Sequence, residues 1–394
     1  MTTTLTARAP TPGGPHRMRR GVRSGWTMAL GAVMVLAGGL ATTRTATHAT
    51  DHFGRYVAGP TAVLPTSSPR AHVAPIRPAS GSAPRPEPVG SPRGEHSWRP
   101  QRLAPRPPAD GRDAPDPAVV HHGDLWALFS TQVGFLNIPV AVSDDLRRWS
   151  EPVDALPQLP AWAEWGHTWA PGVLRRDDGF VLYFAARSPA LGAQCIGAAT
   201  APTIEGPYTS PAPEPLVCQS NLGGSIDPQP FVDRDGTAYL LWKADANAIG
   251  ETSQLFAQRL RPDGLALAGN PVALLRSDAG WEQPLIENPA LLAIDGSYLL
   301  LYSGGWWESA GYAVCHTPLG PCEKQTTQQP ILAGTGDQGS TGGASVIAGP
   351  GGDHWLAYHA WRSDAIGYHN GGTRSLHFAL LTWKAGQLVA APQR

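Results

Sequence analysis

The sequence predicts an all-β domain built as a five-bladed β-propeller, preceded by a signal segment and a disordered Pro-rich linker. The first observation behind this is an internal repeat. The segments GDLWALFST at Gly123, DGFVLYFAA at Gly179, DGTAYLLWK at Gly236, DGSYLLLYS at Gly296 and GDHWLAYHA at Gly352 each set a Gly turn before alternating aromatic and aliphatic residues. Gly beside Asp between apolar runs is a hairpin signal, because the tight turn needs positive φ and Gly adopts it without a steric penalty. The second is what flanks each turn. DPAVV, APGVL, DPQPFV, ENPALL and GASVI come before it, and IPVAVS, CIGAAT, LFAQRL, YAVCHT and LHFALL after it. Each period therefore holds about four strand-length runs and no amphipathic helix, the signature of propeller blades. The third is composition: 45 Gly and 40 Pro in 394 residues describe a turn-rich chain, and 14 Trp suit a β protein better than a helical bundle.

In chain order, residues 1–50 read as a signal peptide region. Arg19, Arg20 and Arg23 precede the apolar run from Met28 to Ala41, and small residues follow it. That run is short and Gly-rich for a membrane span, so secretion is expected, with a retained N-terminal anchor as the alternative. Residues 51–112 read as a disordered linker: Pro and Arg are dense between Pro60 and Pro108, where Glu87 and Glu95 are the only acids. Residues 113–394 form the propeller. A formal net charge of -1 from 30 basic and 31 acidic residues argues against a nucleic-acid partner.

Cys195, Cys218, Cys315 and Cys322 all follow the linker, and an even count in an exported chain points to disulfides. The blade repeat favours the sequential pairs Cys195–Cys218 and Cys315–Cys322, each closing a loop near a blade edge. Their spacings are not those of a zinc site.

Counting back equally from the hairpin glycines reaches Ala170, Asp227, Glu287 and Gly343, and with a shorter turn in blade one it reaches Asp116. These places open the innermost strand of each blade, where the sheets converge. A single Asp-Pro commonly caps a turn. Three acids converging on one axis repel one another and persist for a task or a bound cation. Glycosidic cleavage is such a task, because one carboxylic acid protonates the leaving oxygen while a carboxylate activates water or attacks directly.

In order and blade phase, DPAVV, WAPGV (Trp169 to Val173), IDPQPFV and IENPALL resemble the motifs of glycoside hydrolase family 43. The resemblance runs from about Asp113 to the C-terminus. It implies a five-bladed propeller and an inverting glycosidase that removes α-L-arabinofuranosyl or β-D-xylosyl units from plant cell-wall polysaccharide, or cuts arabinan or galactan. It also implies Asp116 as general base, Glu287 as general acid and Asp227 as the acid that modulates the donor's pKa. One departure concerns a His of the family's fifth-blade motif, which helps organise a central metal ion or water cluster. Gly343 stands there, and His354 and His359 lie on the next hairpin. No cofactor is therefore expected to be required, and a structural calcium loses its organising residue.

Trp165, His167 and Trp169 before the blade-two motif, and Trp306 and Trp307 after the blade-four hairpin, offer faces for sugar stacking or for packing between blades. His167, Trp169 and Trp306 are taken as substrate-binding candidates. Arg374 in GGTRSLHF joins them because it resembles a basic family residue reaching the cleft from the last blade. A monomer acting on an oligo- or polysaccharide is expected, without stable membrane association. Two other readings stay open. One is a retaining fructan-active propeller, whose usual Asn before the first-blade Asp is here replaced by Ala114 and Pro115. The other is a non-catalytic sugar-binding propeller, which should have lost at least one of the acids.

Overall fold

The computed structural model describes residues 104–108, 110–306, 308–349 and 352–393. The expected signal peptide, most of the expected linker and Trp307 lie outside these residues. Alternating apolar runs broken by Gly and Pro produce nineteen strands, and the regular helical turns among the described residues are short 3-10 pieces.

Blade one is the antiparallel order β1 (Ala118–His122), β2 (Leu125–Phe129), β3 (Pro139–Ser143), β4 (Val153–Asp154). Blade two holds β5 (Trp169–Arg176), β6 (Gly179–Ser188) and β7 (Ala193–Ala201). Blade three runs β8 (Ser225–Val232), β9 (Ala238–Ala244), β10 (Gln254–Leu260), β11 (Leu267–Arg276). Blade four runs β12 (Ile286–Ile294), β13 (Ser297–Gly304), β14 (Ser309–Cys315), β15 (Cys322–Lys324). Blade five runs β16 (Gln338–Ala348), β17 (His354–Arg362), β18 (Arg374–Lys384), β19 (Gln387–Pro392).

The first strands β1, β5, β8, β12 and β16 meet one another in turn, and β16 meets β1, which closes the ring. A separate apolar cluster fills each junction. Phe129, Phe184 and Tyr208 lie between blades one and two, Tyr183, Trp242 and Phe256 between two and three, and Leu241, Leu300 and Tyr302 between three and four. Leu301, Tyr358 and Leu381 fill the fourth junction, and Trp126, Trp355 and Phe378 the fifth. Side chains alternate along a strand, so each sheet supplies both of its junctions from opposite faces.

Blade two departs from the expected four strands. After β7 the chain carries Pro202, Pro207, Pro211, Pro213 and Pro215, which lack the N–H that a ladder needs. The isolated pairings Thr200 with Thr209 and Ile196 with Val217 form there instead of a strand, and Gln194 pairs with Gly224 further on. The disulfides fall as expected: Cys195–Cys218 ties β7 to this segment, and Cys315–Cys322 joins β14 to β15. At the start of the described residues, Arg147 donates to the Ala104 carbonyl at 3.1 Å and the Arg106 N–H to the Leu146 carbonyl at 3.2 Å. The described domain thus begins before Asp113. The Asp113–Ala114 segment then pairs with blade five, where the Ala114 N–H donates to the Arg374 carbonyl at 2.9 Å.

Candidate active site

The five first strands share one irregularity, and it builds the site. Asp116, Ala170, Asp227, Asn288 and Gly343 all take positive φ, between 44° and 58°. The first four precede proline, which disfavours the right-handed helical region, and Asp and Asn tolerate the left-handed one better than most residues. At Ala170, Asp227, Asn288 and Gly343 the ladder to the second strand slips, so a bulge turns that residue out of register.

This corrects the alignment of blade four. Its bulge residue is Asn288, and Glu287 sits one place earlier, equivalent to Trp169, Ile226 and Gly342. Counting from glycine slipped because the glycine moves within the turn. It is the first turn residue in Gly123–Asp124, the second in Asp295–Gly296, and follows the turn at Asp177–Asp178. Asp227 therefore stands at a bulge, Asp116 takes the equivalent positive-φ place just before β1, and the longer Glu287 reaches the same region from the adjacent place.

The second strands contribute a matching set. Opposite Trp169, Ile226, Glu287 and Gly342 stand Ala185, Lys243, Ser303 and His359. Ser303 and His359 of this set, together with Thr131 and the first-strand Asp227, accept the amide of the positive-φ residue of the next blade. The Ala170 N–H donates to Thr131 Oγ1 at 2.8 Å, and the Asn288 N–H to Asp227 Oδ2 at 2.9 Å. The Gly343 N–H donates to Ser303 Oγ at 3.2 Å, and the Asp116 N–H to His359 Nδ1 at 3.0 Å.

The acids are embedded in compensating charge. Thr131 Oγ1 donates to Asp116 Oδ2 at 2.6 Å, and an Arg374 guanidinium nitrogen lies 3.6 Å from the same oxygen. Arg374 is buried, donates from Nε to Tyr368 Oη at 3.1 Å, and packs its guanidinium over Trp361 and Tyr368. Lys243, whose side chain is 1% exposed, donates to Glu287 Oε2 at 2.8 Å and lies 3.3 Å from Asp245 Oδ1. Burial opposes its charge, but Glu287, Asp245 and Asp227 outweigh burial and raise its pKa.

The two partners of the Lys243–Glu287 pair fare differently. Burial raises the Glu287 carboxyl above its ordinary value; Lys243 pulls it down, while Glu308 and Asp116 push it further up. Burial also raises Asp227 well above the usual carboxylate range, with Glu287 and Asp116 adding to the effect against Lys243. A fourth acid, Glu308, stands with its Oε2 3.3 Å from His359 Nε2. Burial would raise it, but His359, Arg374 and Lys243 prevail and hold it below its ordinary value.

Asp116, Asp227, Glu287 and Arg374 thus lie in one electrostatically linked cluster. Trp169, on β5, is half-buried, and its ring meets that of His167 edge-on at 6.2 Å. His167 is partly exposed beside Glu164, and Trp306 is 57% exposed on the loop after β13. Lys243, Glu308 and His359 were missed. A lone Lys or His inside an apolar second strand was the available signal, since burying either among Leu, Trp and Tyr demands a partner.

His359 reverses the expectation for the fifth blade. It does reach the centre, from the strand after Gly343, and it fits because Gly343 has no side chain. A Cβ there would lie 2.5 Å from His359 Nδ1 and 2.6 Å from Asp116 Oδ1. The imidazole takes up the Asp116 amide on one side and faces Glu308 on the other, while Lys243 and Arg374 bring positive charge to the same cluster.

A profile of glycosyl hydrolases family 43 matches residues 106–388. The chain is 30% identical over 236 residues to a β-D-galactofuranosidase of Aspergillus niger, an alignment covering 55% of this chain and 64% of that protein. It is 27% identical over 253 residues to an extracellular exo-α-(1→5)-L-arabinofuranosidase of Cellvibrio japonicus, covering 60% and 71%. Its fold matches a thermostable family-43 glycoside hydrolase with a TM-score of 0.63 at 28% identity, covering 71% of this chain and 95% of the other. With the profile spanning all five blades and the acids standing at the motifs that carried the resemblance, the chain belongs to glycosyl hydrolases family 43.

Proposed function

We propose that the protein is a secreted, inverting glycosidase that releases arabinofuranosyl or xylosyl units from plant cell-wall polysaccharide. In this reading Glu287 is the general acid, Asp116 the general base and Asp227 the acid that tunes and orients the donor. The observation that carries it is the contrast between carboxylates. Glu287 is pushed up by burial and by neighbouring acids, as a proton donor working near neutral pH requires, while Lys243 fixes its direction. Asp116 stands across the same cluster, oriented through one oxygen by Thr131. Protonation of the glycosidic oxygen by Glu287 would accompany attack of a water deprotonated by Asp116 on the opposite face of the sugar. Arg374, Trp169, His167 and Trp306 are the candidates for holding the sugar, Arg374 through its guanidinium and the others through ring faces. Export rests on the charged and apolar pattern of residues 19–41 and on the extracellular relative.

The relatives' printed activities set the panel: p-nitrophenyl α-L-arabinofuranoside, β-D-xyloside and β-D-galactofuranoside, with dyed arabinan for internal cutting. Asp116→Asn and Glu287→Gln should each lower turnover by orders of magnitude on unactivated substrate while the circular dichroism spectrum stays unchanged. Near-normal hydrolysis by Glu287→Gln would remove the assignment. Proton NMR of the first-formed anomer reports stereochemistry, and retained configuration would reject inversion.

A further inference from the structure

Glu308 belongs to none of the sequence motifs, yet it is built into the centre. It takes φ 30° in the loop after β13, and its N–H donates to the Gly305 carbonyl at 3.2 Å. Its carboxyl occupies the space beside Gly342, where any Cβ would strike it. Its Oε2 and His359 Nε2 face each other at 3.3 Å within ion-pair range, both atoms are buried, and neither makes a regular hydrogen bond among the described residues. On the other side of the ring, His359 Nδ1 accepts the Asp116 N–H. A nitrogen that accepts an N–H carries no proton, so the ring proton sits on Nε2, the nitrogen nearest Glu308. Two glycines, one strained loop residue and one buried imidazole thus link Glu308 to the backbone of Asp116.

We propose that Glu308 is a positioning residue, fixing the His359 tautomer that accepts the Asp116 amide and so holding Asp116 in its left-handed conformation. The inference rests on Asp116 acting as the base. Asp116 takes positive φ before proline, a conformation that surrounding contacts must hold in place. The amide bond to His359 is such a contact, and it survives only while the imidazole keeps its proton on the far nitrogen. A carboxylate at Nε2 secures that choice. Glu308 also adds negative charge near Glu287, which faces Lys243, Asp116 and Asp227 as well, while Glu308 itself faces Arg374 and Lys243. His359 faces Asp116 and Glu308, with Asp113 and His377 further out.

The test compares Glu308→Gln, Glu308→Gly and Asp116→Asn in the full chain, each checked for folding by circular dichroism. Glu308→Gln should lower kcat by roughly ten- to a hundredfold, the usual effect of removing a group that orients a catalytic one, with KM within about twofold. The alkaline limb of its kcat/KM profile should move to lower pH, because losing a negative neighbour lets Glu287 release its proton sooner. Glu308→Gly relieves the positive φ and leaves a space beside His359. Added formate should raise its kcat and leave wild-type and Glu308→Gln rates unchanged. A folded Glu308→Gln variant with wild-type kcat and an unmoved limb overturns the proposal. So does a loss confined to KM, which would mean direct contact with substrate, or a Glu308→Gly variant indifferent to formate. Full activity in Asp116→Asn rejects the reading of the base instead, which keeps the two failures apart.

Discussion

Replacing Gly343 by Ala adds one methyl group at the point where blade five meets blade one. Its φ of +58° would place alanine in the left-handed region, at about 1–2 kcal/mol. The new Cβ would lie 2.5 Å from His359 Nδ1 and 2.6 Å from Asp116 Oδ1, so both groups must retreat by about 1 Å to reach ordinary contact. That retreat breaks the Asp116 N–H to His359 bond, now 3.0 Å, and a buried donor left without its acceptor costs about 1–3 kcal/mol. Together these destabilise the fold by on the order of 2–5 kcal/mol, and a displacement of about 1 Å at a reacting group lowers kcat by roughly a hundredfold. Scanning calorimetry and initial rates on whichever aryl glycoside the wild type cleaves best provide the readouts. Gly296→Ala is the control. Gly296 also has positive φ, 81°, but nothing stands within 4 Å of its Cβ position, so this change should reduce stability modestly and leave kcat alone. A Gly343→Ala variant that loses no more activity than Gly296→Ala would refute the crowding argument.

Lys243→Met should destabilise the protein by about 3–5 kcal/mol, because it strips the partner from a buried Glu287 and from Asp245. Lys243 lowers the Glu287 pKa, so the alkaline limb of activity should move to higher pH; a limb that stays put or falls contradicts the pairing. Asp227→Asn should raise the melting temperature at neutral pH while lowering turnover. The folded-state pKa of Asp227 is raised, so its ionised form opposes folding near neutrality, and the difference from wild type should shrink as the pH falls and the carboxyl takes up its proton. Selective removal of the Cys195–Cys218 bridge, which spans 23 residues, should cost about 3 kcal/mol on the chain-entropy estimate. The Cys315–Cys322 bridge spans 7 and should cost nearer 2, with kcat unchanged in both; equal losses in urea melts would contradict that ordering.

Much of this architecture was legible in sequence because its determinants are local. A Gly turn with alternating apolar residues specifies a hairpin wherever it occurs, and five in phase specify the ring. Asp116 and Asp227 were legible because in each an Asp precedes Pro at the positive-φ place of its first strand. The slip at Glu287 came from treating the hairpin glycine as a fixed marker, when turn geometry lets it occupy different places. The roles of Lys243 and His359 were harder to read, although a lone Lys or His in an apolar strand flagged each. Their roles arise from register, each standing across from a first-strand residue and meeting an acid of the neighbouring blade. Glu308 depends on three segments at once, since its place exists only where Gly342 yields room and His359 offers a proton.

The missing fourth strand of blade two reaches beyond geometry. Without it the outer edge of β7 would present unpaired backbone donors and acceptors, a template onto which another chain can add. The proline-bearing segment from Thr209 to Val217 covers that edge through only two pairings, and Cys195–Cys218 holds the cover down. Reducing the bridge should therefore free that edge for pairing with a second chain. Under reducing conditions the first symptom should be turbidity in concentrated protein, with the dilute enzyme still turning over.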